Sequence, residues 1–303
     1  GNTPLECQNE VKQDWLAVEK ITSVDFALPD FPVERDGYAG HLDLSRIARS
    51  NKHGISKSIY KDEFDAVFCV EVTKDFRRIR MEFPSQAIAA FDTTLDFWLY
   101  QLKLQESGWR GVRMDLCHDD YGQTTSSARE KMLEAAKNHQ RSGFRSWRLI
   151  DGSDSSTPPG QSMKTLYIGS NRSDSFLRIY DKVRIICGRS VPFCRTERQM
   201  NRAIADTAWQ DFCSHLRKSL SALLPEYEIS QWISQRIIDE KVRFHEIPEN
   251  WEGHLDRLDD YDWWTGYCAS ISEERHRIAY VPPKPIMEDK EKWLAKNVAR
   301  TFA

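Results

Sequence analysis

The sequence predicts an α+β fold: a large, mainly antiparallel, curved sheet with flanking helices, followed by a helical C-terminal part. Three observations lead there. Several segments alternate apolar and polar residues with period two, as strands with one face on a core do. Short polar turns join neighbouring strand segments, which makes hairpins and not regular β-α-β units. Between them lie segments with apolar residues three and four apart, long enough to cover one face of a sheet. The 303 residues suffice for one large domain or two of ordinary size. Pro225 divides the chain into residues 1–224 and a helical region, 225–303, packed on the first part or continuous with it.

The chain starts polar, and the first predicted strand covers residues 21–28. Residues 36–66 mix Gly, Ser and charge, with a strand at their end. Residues 66–72 (AVFCVEV) and 77–83 (RRIRMEF) form a hairpin across a short polar turn. Residues 85–106 are helical in pattern, with Ile88, Phe91, Leu95, Trp98 and Leu102 on one side, and Gly108 closes the helix. In 109–120 (WRGVRMDLCHDD), Val112, Met114 and Leu116 point one way and Arg113, Asp115, Cys117 and Asp119 the other. Residues 126–138 are a helix capped by Ser126 or Ser127. Residues 144–150 are a strand, and 151–161 (DGSDSSTPPGQ) a loop.

Residues 165–182 (TLYIGSNRSDSFLRIYDK) are a second hairpin. Leu177 and Ile179 face a core while Arg178, Tyr180 and Lys182 share the other face. Residues 193–201 continue in period two, with Arg195, Glu197 and Gln199 together. A helix over 203–224 ends before Pro225. Beyond it, Trp232, Trp251, Trp263 and Trp264 sit in a charged helical stretch. Pro282, Pro283 and Pro285 break the chain before a terminal amphipathic helix at 287–303.

Net charge does not advertise a nucleic-acid partner: 43 basic residues stand against 46 acidic ones, for a formal charge of −3. Binding to DNA would rest on local basic surface. Arg77, Arg78 and Arg80, then Arg141, Arg145 and Arg148, then Arg195, Arg198 and Arg202 are such runs, although an isolated run is usually a solvated face. Seven scattered cysteines contain no CxxC pair and no zinc spacing with histidine, which fits reduced thiols in a cytoplasmic protein. No apolar run is long enough to span a bilayer, so no membrane partner is expected. Most of the ten tryptophans belong to helix packing, and some are available to stack on bases.

Three strands carry an apolar face and a charged one: Arg113, Asp115 and Asp119; Arg178, Tyr180 and Lys182; Arg195, Glu197 and Gln199. If they are neighbours, acids and cations converge on one phenol. Asp115 and Glu197 are hard oxygen ligands of the kind that hold Mg²⁺ or Mn²⁺. Such an ion stabilises charge at a phosphoryl group, and arginine or lysine clamps the remaining oxygens. Tyrosine is a known covalent nucleophile that needs activation. Taken one at a time, each residue has a plainer reading: a strand tyrosine usually packs, and an Arg-x-Glu pair is usually a cross-strand salt bridge.

The 165–182 hairpin resembles the tyrosine motif of the Rep_trans family, rolling-circle replication initiators of plasmids and some filamentous phages with related relaxases. It matches through Gly169, Ser170, Arg172, Ser173, Arg178, Tyr180, Asp181 and Lys182. Upstream, VRMDLCHDD resembles the family's Arg-Ile-Asp-Leu strand through Arg113, Asp115, Leu116, Asp119 and Asp120. Downstream, CRTERQ resembles its Arg-x-Glu strand through Arg195 and Glu197, and the ending PPKP…WLAKNVARTFA is similar too. The likeness runs over residues 60–303. It departs at His118, where the pattern prefers a small or apolar residue, and at Asn171-Arg172, which inverts the commoner order.

The resemblance implies a metal-dependent DNA nickase and strand transferase in residues 1–224. Tyr180 would form a 5′-phosphotyrosyl link and free a 3′-hydroxyl. Asp115 and Glu197 would hold the metal, with Asp119 a weaker candidate and Asp25 or Glu71 a further one. Arg178 and Lys182 would bind the scissile phosphate, and Arg172, Arg113 and Arg195 the DNA around it. Origin DNA, single-stranded or cruciform at the nick, a host helicase and a second copy of the chain are the implied partners. The eight histidines, at 41, 53, 118, 139, 215, 245, 254 and 276, include no pair two residues apart, so a histidine-hydrophobe-histidine metal site is excluded. A conjugative relaxase, a catalytically silent DNA-binding regulator on the same scaffold, and a structural protein without a DNA role are the alternatives.

Overall fold

The alternating segments become one open sheet. The protein was analysed as a computed structural model that describes residues 9–22, 37–40, 43–52, 55–152, 163–186, 189–221, 225–248 and 250–272. Its strands are β1 (Glu10–Thr22), β2 (Asp43–Lys52), β3 (Ile55–Lys61), β4 (Val67–Val72), β5 (Arg77–Pro84), β6 (Arg110–Asp120), β7 (Arg141–Ser142), β8 (Trp147–Gly152), β9 (Met163–Ile168), β10 (Ser175–Ile186), β11 (Arg189–Asn201) and β12 (Arg243–Phe244). Ten of them form a sheet in the order β2-β3-β4-β5-β1-β6-β11-β10-β9-β8, while β7 and β12 pair separately. The pairings along the large sheet are antiparallel, as the hairpins predict.

Helices cover one face. They are α1 (Ser85–Ile88), α2 (Thr94–Glu106), α3 (Thr124–Lys137), α4 (Arg202–Ser219), α5 (Pro225–Ile237) and α6 (Asp262–Ile271). α4 turns Ala205, Ala208, Trp209, Phe212 and Leu216 inward, spaced as one helical stripe, and packs on β6 and β11, in one core cluster with Met114, Leu116 and Met200 of those strands and Leu177 and Ile179 of β10. It lies so close over β6 that a β-carbon at Gly111 would come within 2.9 Å of the Ala205 carbonyl oxygen. α5 joins the same core: the Phe212 and Trp232 rings meet edge to face at 5.3 Å. With α3 on that side as well, and α6 packed on α3, no helix among the described residues covers the opposite face of β6, β11 and β10, which carries the charged residues.

The elements differ from the sequence expectation in several places. α3 starts at Thr124, so Ser126 and Ser127 lie within its first turn and neither caps it. β1 lies at 10–22, in the stretch read as a polar start, and residues 23–28 of the expected strand fall outside the described ones. A bulge between Gln13 and Trp15, with Asp14 the extra residue, breaks the alternation and hides the strand's period. The expected helix at 85–106 is two helices, because Thr93 caps α2 by accepting from the Asp96 backbone N–H at 3.1 Å. The 144–150 strand begins at Trp147. The expected terminal helix, the proline break and most of the 151–161 loop lie outside the described residues. No helix among the described residues is long and apolar enough to cross a membrane, and Cys69, Cys117, Cys194, Cys213 and Cys268 are free and buried.

Candidate active site

Register places the three charged strands side by side. Glu197 lies opposite both Arg178 and Cys117, and Arg195 opposite both Tyr180 and Asp119. Opposed residues of an antiparallel pair share a face. Two rows therefore cross β6, β11 and β10 on the uncovered side: Cys117–Glu197–Arg178, and Asp119–Arg195–Tyr180. Gly169, at φ +93°, turns the chain from β9 towards β10 and so presents Arg178, Tyr180 and Lys182.

Glu197 of the first row holds the phenol of the second. The Tyr180 hydroxyl donates to Glu197 Oε2 at 2.6 Å. Arg178 Nη2 contacts Glu197 Oε1 and lies 3.4 Å from Asp115 Oδ2. Arg113 grips Asp115 from the other side with Nε at 3.0 Å and Nη2 at 2.6 Å, and stacks over Trp15 at 4.2 Å. Both carboxylates are 1% exposed. Burial raises the Tyr180 pKa, and the neighbouring Glu197 charge adds to this, so the phenol is protonated at rest. Burial also works to raise Glu197, but Arg178 and the Tyr180 hydrogen bond outweigh it and hold the carboxylate below its ordinary value.

The second row is an ion cluster. Arg195 donates to Asp119 through Nε at 2.5 Å and Nη2 at 2.7 Å, and its Nη1 lies 2.7 Å from Asp14 Oδ1. Lys12 reaches Asp119 at 2.9 Å. Despite burial, these cations keep the Asp119 carboxyl below its usual range. Lys182 has no ion pair among the described residues. Its ammonium lies 5.8 Å from the Tyr180 ring centre, and burial followed by the Arg195 charge lowers its pKa.

Asp115 titrates differently from Glu197. Burial pushes its carboxyl up to about 7, with Glu197 adding to the rise and Arg113 opposing it. A carboxyl whose pKa is higher folded than unfolded loses the fold stability as pH rises between the two values, and costs nothing below both. For Asp115 that window runs from about 4 to about 7. The melting temperature of metal-free Asp115→Asn, relative to the native protein, should therefore rise by about 2–4 °C or more between pH 4 and pH 8. Parallel melting curves across that range would contradict the burial argument.

The donor set suits a divalent ion in one respect. Asp115 and Glu197 converge on a point where a positive nitrogen, Arg178 Nη2, already stands. Mg²⁺ is commonly held by one or two carboxylates with water and substrate phosphate completing the shell. Among the described residues no group of three or more His, Cys, Asp or Glu gathers as a metal shell. Asp119 is committed to Arg195 and Lys12. Glu71 lies on β4, three strand spacings or about 14 Å from β6, paired with Lys57 and Arg78. Asp25 is outside the described residues.

Arg172 sits on the turn before Ser175, roughly 16 Å along the strand from Tyr180, with its side chain exposed. Sequence reasoning missed Asp14. The bulge that obscures β1 is what brings its carboxylate to Arg195. Arg129 was also missed. From α3 on the covered side it donates to Asp181 at 2.7 Å, and Asp181 accepts from the Lys164 backbone N–H at 2.9 Å. The residue after Tyr180 thus ties β10 to both α3 and β9.

A hairpin-built sheet with a phenol, acids and cations on its bare face is the scaffold expected of a replication initiator. A family model described as replication initiation factor, Rep_trans, matches residues 112–303, and the chain belongs to that family. Among solved structures, it is similar to a rolling circle replication initiator protein from Geobacillus stearothermophilus, with a TM-score of 0.57. The two share 17% identity over 90% of this chain and 99% of the other, a likeness of fold. No curated protein sequence matches.

Proposed function

We propose that the protein starts rolling-circle replication by nicking one strand of an origin and holding its 5′ end on Tyr180. The observation that carries this is the 2.6 Å hydrogen bond from the Tyr180 hydroxyl to Glu197, beside the guanidinium shared by Glu197 and Asp115. The phenolic oxygen attacks phosphorus as its proton passes to Glu197. The bond from phosphorus to the 3′ oxygen breaks, and that oxygen takes up a proton to become the free hydroxyl. The products are a 5′-phosphotyrosyl link and a 3′-hydroxyl primer end. Attack by a 3′-hydroxyl on the link reverses the exchange and rejoins the strand.

Asp115 and Glu197 would hold Mg²⁺ or Mn²⁺, which when bound supplies a positive charge for the phosphoryl oxygens. Arg178 and Lys182 bind and orient the phosphate, and the Arg195–Asp119–Asp14 cluster keeps β11 and β6 in register beneath it. A host helicase and a second copy of the chain belong to the same reading through the family. The test is a labelled single-stranded oligonucleotide spanning the origin of the replicon that encodes the chain, incubated with Mn²⁺ and run on a denaturing gel. With the label at the oligonucleotide's 3′ end, a labelled protein band is expected, because the fragment 3′ to the nick is the one held through its 5′ phosphate; absence of any Mn²⁺-dependent covalent band would refute the proposal.

A further inference from the structure

On the uncovered face the Cys117–Glu197–Arg178 row, next to the nucleophile's, continues onto β9 and β8. Tyr167 lies directly opposite Arg178, and Arg148 directly opposite Tyr167. Most cations on this face are committed to acids: Arg113 to Asp115, Arg178 to Glu197, Arg195 to Asp119, Lys12 to Glu10 and Asp119. Arg148 is different. It is exposed and has no ion pair among the described residues; its guanidinium lies 4.8 Å from the Tyr167 ring centre. The Tyr167 ring is in turn stacked beside Phe176, with centroids 6.4 Å apart and planes 29° apart. Phe176 is 6% exposed and holds the ring from its neighbouring strand, while Tyr167 itself is half-buried.

A flat aromatic ring held in place by a buried neighbour, with a planar π-bearing cation over it, is a stacking position. The guanidinium stands where a nucleobase would lie. An exposed arginine without an acidic partner can leave that position and donate to a phosphate instead. The position is one strand spacing from β10, about 5 Å, on the side away from Asp115.

We propose that Tyr167, backed by Phe176, is the platform for a base of the single strand next to the scissile phosphate, and that Arg148 is displaced from it to the strand's backbone. This rests on the function proposed above and names a base subsite of that site. The occupant is single-stranded DNA because stacking on Tyr167 needs an unpaired base, and because the surrounding free charges, Arg148 and Lys182, are positive.

The probe is a fluorescein-labelled oligothymidylate of about twenty nucleotides, compared with an abasic strand of equal length, with affinities read by anisotropy. The native protein should bind the thymidylate about tenfold or more tighter than the abasic strand. Tyr167→Leu, which keeps an apolar side chain without a π face, should bind the two strands equally, and Tyr167→Phe should restore the preference. Arg148→Ala should weaken both strands alike and lower the salt slope by about one. If Tyr167→Leu lowers expression or melts early, Tyr167→Trp serves in its place and should widen the preference. A native preference that survives Tyr167→Leu, or is unmoved by Tyr167→Trp, overturns the platform and leaves the proposed function standing. A native protein that binds neither strand overturns the platform too, and the proposed function is then decided by the covalent band on origin DNA.

Discussion

Tyr180→Phe should abolish the covalent DNA adduct, lowering strand cleavage at least about 10⁴-fold, while single-strand binding stays within about twofold of native. The substitution removes one oxygen. That oxygen is the atom that donates to Glu197 at 2.6 Å, and it is the atom asked to bond phosphorus. The ring remains, and with it the contacts of Arg178 and Lys182, each 5.8 Å from its centre. The groups proposed to bind phosphate and base, Arg178, Lys182, Arg148 and Tyr167, are untouched. Binding and chemistry are thus separated by a single atom. Denaturing gels report the adduct and anisotropy reports binding. An adduct that persists in Tyr180→Phe would move the nucleophile elsewhere. A loss of binding equal to the loss of cleavage would mean that the hydroxyl organises the site and does not react.

What the sequence revealed and what it hid follow from one rule, the two-residue period of a strand. Where a strand is unbroken, the period assigns faces without error. On β10, Leu177 and Ile179 went inward and Arg178 and Tyr180 outward, and on β6 the alternation of Met114 and Leu116 with Asp115 and Cys117 put the acid on the right side. Adjacency of the three charged strands needed only that acids and cations neutralise one another, and the register delivers Arg178 to Glu197 and Arg195 to Asp119. The period fails at a bulge. Asp14 is an extra residue in β1, so the strand reads as aperiodic and polar, and an acid of the site was passed over. Helix period fails in a similar way at Thr93: the apolar spacing runs on across a capped break, and Ile88 to Leu102 reads as one helix. Arg129 lay beyond reach for another reason. It acts on Asp181 through the sheet's covered side, from a helix 52 residues away, and no local pattern encodes that contact.

Glu197→Gln should be the more damaging of the two carboxylate substitutions, and comparison with Asp115→Asn separates two jobs. Both acids touch Arg178, but Glu197 also accepts the Tyr180 hydrogen bond, whereas Asp115 is held by Arg113. If each acid serves the divalent ion, both variants bind Mn²⁺ more weakly, which titration calorimetry measures directly, and both lose activity at limiting metal. Raising Mn²⁺ to saturation should then return most of the activity of Asp115→Asn. It should not return that of Glu197→Gln, because a neutral amide cannot take the phenolic proton, and about 10²–10⁴-fold in rate stays missing. Geometry makes the comparison fair: Gln keeps the shape of Glu and can still accept from the Tyr180 hydroxyl through its carbonyl oxygen, so the ring stays in place. Full rescue of both variants by metal would confine Glu197 to metal binding and leave the proton to solvent or to Lys182, whose pKa is lowered by burial first and by Arg195 second. Native rates in Glu197→Gln without added metal would remove Glu197 from the chemistry, and the hydrogen bond to Tyr180 would then be no more than strand packing.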